Sequence, residues 1–143
     1  MATHRIHLRG PWDYSLHAAA VGVAPAVTKI GTANMPREWR EVFEEIGGTA
    51  VFRRKFHRPT NLSPQERVVL VCTEVRGAGR ASLNEHPLGE FTAEGNAVEF
   101  DVTGRLNSFN EFTIEIAFEP SQFPALSGGL YGVVAIEIRS ADE

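Results

Sequence analysis

Between Val68 and Phe118 short apolar runs alternate with turn-forming residues at intervals of roughly ten residues, the rhythm of a β-sandwich. Val98, Phe100 and Val102 keep one side of a period-2 pattern. Phe112, Ile114, Ile116 and Phe118 do the same, with Glu111, Thr113 and Glu115 between them. A strand written this way has one side to bury and one to leave in water. Arg67 to Val75 is apolar in both phases and predicts a central strand. Thr49 to His57 predicts another, with Ala50, Phe52 and Phe56 in one phase. Arg54 shares that phase, and its guanidinium needs a carboxylate or carbonyl partner, or a path to the rim. Trp12, Tyr14 and Leu16 share a face of a candidate strand within Ile6 to Leu16, Val27 to Ile30 adds a short one, and Leu130 to Ile138 closes the series.

One segment follows a different period. Trp39, Val42, Phe43 and Ile46 recur at helical spacing, which predicts a single short helix at about 36–46. Pro36 suits its first position and Gly47 its left-handed stop. Its charged residues, Glu44 and Glu45 among them, form a solvated face. Ala18 to Ala26 reads as an irregular crossing segment and Gly77 to Gly79 as a turn. Ala81 to Leu83 starts a strand that Leu88 to Phe91 pairs with after a hairpin at Asn84-Glu85-His86-Pro87. Thr92 to Asn96 and Glu119 to Gly129 read as loops.

A chain of 143 residues suits one domain, 1–143, with a core that needs neither disulfides nor metal. The 18 acidic residues against 14 basic ones give a net charge of −4 with no long run of either sign, which argues against nucleic acid as a partner. No apolar stretch is long enough to span a membrane. The polar start and the broken small-residue stretch after it do not read as a secretory signal, so a cytoplasmic location is the default expectation. Cys72, the single cysteine, lies in an apolar run and reads as a small buried hydrophobe rather than a nucleophile.

The order of short motifs carries a resemblance. Gly10-Pro11-Trp12 is followed by Pro36 and Trp39, Phe52 to Phe56, and Glu66 to Leu70. Then come Gly79 to Asn84, Leu88-Gly89, Phe100 to Leu106, Asn110, and Gly128 to Gly132. This series resembles the N-terminal sugar-binding domain of family 2 glycoside hydrolases, from about Leu8 to Ile138. The resemblance implies an all-β fold, an antiparallel β-sandwich of the galactose-binding-domain-like jelly-roll type. It also implies an Asn-Gly hairpin turn at Asn84, where this chain has Glu85 in place of glycine and a longer turn is expected. In β-galactosidase-like members a loop side chain that helps hold the sugar falls near Ala93 and Glu94, and of these only Glu94 is polar. The family's catalytic carboxylates belong to a barrel downstream of this domain, and no pair at the separation that retaining hydrolysis needs is assignable here.

Two functional readings follow. A non-catalytic carbohydrate-binding-like module would stack a sugar on an aromatic ring and fix its hydroxyls with polar side chains. The candidates are Phe91, Phe123 and Tyr131 for stacking, with Asn84, His86, Glu94 and Asn96 as polar partners. Alternatively, the sandwich has lost its sugar and works through a protein partner or as a homodimer. A catalytic role has no support. His4, His7, His17, His57 and His86 lack metal-ligand spacing, and no serine sits in a nucleophile elbow. No cofactor is implied. A structural calcium ion, which some galactose-binding-like domains carry, is announced by no Asp-rich loop.

Overall fold

The computed structural model describes residues 4–18 and 26–140, with backbone only at 26–28. Most of the crossing segment expected at Ala18 to Ala26 lies outside the described residues. The strands are β1 (His4–His7), β2 (Trp12–Ala18), β3 (Ala26–Ala33), β4 (Gly48–His57), β5 (Glu66–Cys72), β6 (Val75–Leu83), β7 (His86–Glu94), β8 (Val98–Asp101), β9 (Phe109–Phe118), β10 (Gly129–Leu130) and β11 (Val134–Ser140). They form two antiparallel sheets. A four-stranded sheet has the order β1-β11-β5-β8, and a seven-stranded sheet has the order β10-β6-β9-β4-β2-β3 with β7 on the other edge of β6. The architecture is an all-β sandwich, as the alternation of apolar and polar positions predicts.

The inward phases meet as one core. Trp12, Leu16, Ala50, Phe52, Phe112, Ile114 and Ile116 come from the large sheet, and Val68, Leu70, Phe100 and Ile136 from the small one. Aromatic rings pack edge-on or tilted across it, with Phe112 between Trp12 at 6.1 Å and Phe100 at 6.2 Å, a geometry that ring quadrupoles favour. Cys72 is fully enclosed, and burial pushes its thiol up to about 12, so it stays protonated and inert. Arg54 is half-buried on the inward phase. It donates to the Lys55 carbonyl, while its Nε is buried without a partner.

The helix is shorter than its periodicity suggests. α1 spans Trp39–Phe43 only. Glu38, not Pro36, opens it: its carboxylate accepts from Arg40 N at 2.7 Å, while Glu41 reaches back to Glu38 N at 3.3 Å, a reciprocal capping box. Glu44, with φ 55, ends it three residues before Gly47, and Ile46, expected on the apolar stripe, is exposed. Trp39 is the plug. Its ring sits against Phe43 and Phe118, and its Nε1 donates to the Ile46 carbonyl at 2.9 Å.

Four boundaries also differ from the sequence reading. The expected strand within Ile6 to Leu16 is two strands, β1 and β2, in different sheets. Gly77 to Gly79 is not a turn: β6 runs straight through it. A Cβ on Gly79 would lie 1.7 Å from the Glu115 carbonyl oxygen, so the glycine is there because β9 approaches closely. The expected loop at Thr92 to Asn96 shortens, because Thr92 and Glu94 complete β7. The expected closing strand divides at Tyr131 into β10 and β11, as the chain passes from the large sheet to the small one.

Candidate functional site

Six of the seven residues expected to bind a ligand fall at the two opposite ends of β7 or along it, and the seventh, Phe123, follows the 3-10 turn after β9. β7 has nine residues, which at about 3.3 Å each is about 30 Å. A single sugar ring cannot touch both ends.

Asn84 and His86 belong to the first end. Asn84 (φ 51) and Glu85 (φ 70) form a two-residue turn, with Leu83 paired to His86. This overturns the longer turn expected from the missing glycine, since Glu85 accepts the positive φ. The turn is the tight left-handed kind that matches strand twist. The extra residue is accommodated further on, as a register shift between Ala81 and Ser82. The Asn84 side chain is committed to the fold: its Nδ2 donates to Asn110 at 3.0 Å, and its Oδ1 accepts from Glu111 N at 2.8 Å. His86 lines a small cavity of about 340 Å³ with Arg105 and Asn107.

Glu94, Asn96 and Tyr131 meet at the second end. Asn96 Oδ1 accepts from Glu94 N at 2.9 Å and shapes the turn. Arg76 lies 5.8 Å from the Tyr131 ring centroid and donates to the carbonyls of Ser127 and Glu94. Gly95 has no room for a Cβ, which would fall 2.9 Å from both Arg76 and the Tyr131 hydroxyl. Tyr131 is thus half-buried with Arg76 against it. Phe91 points the other way, packing on Phe100 at 6.3 Å at the core margin. Ala93 is likewise buried, so of the two residues at the resemblance's sugar-contacting position, only Glu94 reaches solvent.

Above this end, the outer face of the large sheet is concave. Register aligns Thr92, Ala78, Ala117 and Thr49 in one row across β7, β6, β9 and β4. Side chains this short leave a depression about 14 Å long, three strand spacings. The next row, Glu90, Arg80 and Glu115, makes one wall, with Arg80 Nε on Glu115 at 2.7 Å. The opposite side rises to Arg76, Glu94, Glu119, Gln122 and Phe123. Two clefts of about 540 and 440 Å³ share the four-residue floor and form one groove.

The rim of the groove is fixed from beneath. Phe123 stacks on Phe118 at 5.4 Å, and Arg40 of α1 donates to the carbonyls of Pro120, Phe123 and Leu126 at 2.7 to 3.1 Å. Sequence reasoning missed the floor because Gly77-Ala78-Gly79 imitates a turn. The outward phase of β6 and β9, small at Ala78 and Ala117 where neighbours are charged, was the available signal.

A second cavity, of about 600 Å³, lies between β1 and the β4–β5 loop. Its size is comparable, but it offers no Phe, Tyr or Trp ring, and Glu66 within it is used to bond Ser63 N at 2.8 Å. The groove is the better candidate on chemistry. Among the described residues no three His, Cys, Asp or Glu side chains gather as a metal site. His4 and His7 do lie on a regular strand, but at a spacing that sends them to opposite faces. No helix among the described residues is long and apolar enough to cross a membrane.

No protein-family model and no curated protein matches the chain. Solved structures do. A β-glucuronidase from an uncultured Clostridium species superposes with a TM-score of 0.76 at 17% identity, over 97% of this chain and 29% of that one. An FMN-binding β-glucuronidase from Faecalibacterium prausnitzii L2-6 gives 0.72 at 23%, over 94% and 22%. A β-glycosidase from Bacteroides vulgatus gives 0.69 at 18%, over 96% and 20%. At these identities the likeness is one of fold: the chain is a β-sandwich of the kind these glycosidases contain, as the resemblance in its motifs implies. It spans about a fifth to a third of their length.

Proposed function

We propose that the chain is a non-catalytic carbohydrate-binding-like module and that its ligand lies in the groove over Thr92, Ala78, Ala117 and Thr49. The groove itself is the observation that carries this reading. It combines a floor of short side chains, an aromatic edge at Phe123, and polar groups on both walls, the mixture that sugar sites use. The fold supports the reading further, since glucuronidases and other glycosidases contain the same sandwich. Of the seven residues expected from the sequence, Glu94 and Phe123 line the groove directly. Tyr131 and Asn96 hold the turn beside it, Phe91 borders it with its ring packed inward on Phe100, and Asn84 and His86 lie at the far end of β7.

A thermal-shift series against oligosaccharides tests this. A bound sugar at 100 times its dissociation constant adds about 2.7 kcal/mol of stability, and Ala78→Leu, which fills the floor, removes the shift without lowering the unliganded melting temperature. A shift that survives Ala78→Leu would move the site elsewhere.

A second reading, a sandwich that pairs with a partner chain or a second copy, is favoured by one observation. β1 is an edge strand exposed along its length, with Ile6 41% exposed, and such edges pair with other strands. Concentration-dependent light scattering that Ile6→Lys abolishes would support it over the sugar reading.

A further inference from the structure

The charge of the groove selects among sugars. Its walls carry four carboxylates, Glu90, Glu94, Glu115 and Glu119, against the guanidiniums of Arg76 and Arg80. The two cations are already engaged. Arg80 is paired with Glu115, and Arg76 is spent on two backbone carbonyls and the Tyr131 ring. Glu119 is partly occupied as well, accepting from Ser121 N at 3.3 Å. Glu90 and Glu94 remain exposed, on opposite walls, with no ion-pair partner among the described residues. Four carboxylates against two guanidiniums leave the groove with an excess of two negative charges, and a ligand on the floor would lie between Glu90 and Glu94.

We infer that the groove binds oligosaccharides bearing protonated amino groups in preference to neutral ones, and rejects uronates. This rests on the groove being the sugar site. The physics is ordinary. An ammonium beside an exposed carboxylate gains about five-fold in affinity at most, and a carboxylate placed in the same position is repelled by a comparable factor.

Three ligands with the same β-linked glucose backbone separate charge from shape: a glucosamine trisaccharide, cellotriose, and the trimer of glucuronate. Titration calorimetry on the whole chain at about pH 5.5, where side-chain carboxylates are ionised, should rank them in that order, with the amino sugar about five-fold tighter than cellotriose. The advantage should disappear in about 1 M salt, where the screening length is about 3 Å. It should also disappear in the double variant Glu90→Gln, Glu94→Gln. Both substitutions are at exposed positions, and the fold should tolerate them. Equal affinities for the three, or tightest binding of the uronate, would overturn the charge inference while leaving the groove as the sugar site. Binding of none of them would overturn the site and the inference together.

Discussion

The two sheets of the sandwich turn very different outer faces to solvent. On the four-stranded sheet, Val69, Val71 and Ala135 face outward and yet are buried, because a lattice of long charged side chains lies over them. Arg5 and Arg139 both bond Glu137, Arg139 reaches on to Glu99 at 2.8 Å, and Arg67 faces Asp101 at 3.6 Å. Every carboxylate in that lattice has an arginine. On the seven-stranded sheet the corresponding middle row is Thr92, Ala78, Ala117 and Thr49, with none of the described side chains laid over it, and the two flanking glutamates, Glu90 and Glu94, form no ion pair among the described residues. A sealed face whose charges cancel contributes to stability. An open face with charge left over is the one on which the proposed ligand would lie.

The largest effect should come from beneath the open face. Trp39→Ala, which removes the plug that packs on Phe43 and Phe118, should cost about 3–5 kcal/mol in denaturant unfolding. On the sealed face, Glu137→Ala should cost about 2 kcal/mol, because it leaves Arg5 without its carboxylate and Arg139 with Glu99 alone; their partial exposure keeps the loss below that of a fully buried pair. The same network gives a pH signature. Burial pushes the Glu137 carboxyl up, but hydrogen bonds from Arg139 and Arg5 outweigh it and hold the group below its ordinary 4.5. A carboxyl that binds protons less tightly when folded stabilises the fold above its unfolded value, and that contribution is lost as pH falls through the lower folded one. Melting temperature should thus drop below about pH 4.5, more steeply in the natural chain than in Glu137→Gln. The smallest effect belongs to the open face, where Ala117→Leu should change stability by less than about 0.5 kcal/mol while blocking the groove. A large loss there would mean that the two faces do not divide the work in this way.

Much of this contrast could be read from the residues. Alternation in β9 and β4 and the doubly apolar β5 predict the sandwich and its central strand, since period-2 patterning directly encodes which face is buried. Helix length was not legible. Glu38 as cap and Glu44 as stop depend on which carboxylate happens to face a free N–H, and the stretch contains several. The groove was hidden for a related reason. Glycines that allow β6 and β9 to approach look locally the same as glycines that turn a chain, and only cross-strand register brings Ala78 beside Ala117. Glu94 was visible as an exposed polar residue, whereas Asn84 looked equally available until Asn110 and Glu111 claimed its amide.

Amide chemical-shift mapping during titration with a glucosamine trisaccharide tests the central claim most directly. Thr49, Ala78, Thr92 and Ala117 should move together, with Glu90 and Glu94 at the margins, while Val69, Val71 and Ala135 on the sealed face stay still. Shifts gathered instead around Asn84, His86 and Arg105, or along β1, would contradict it.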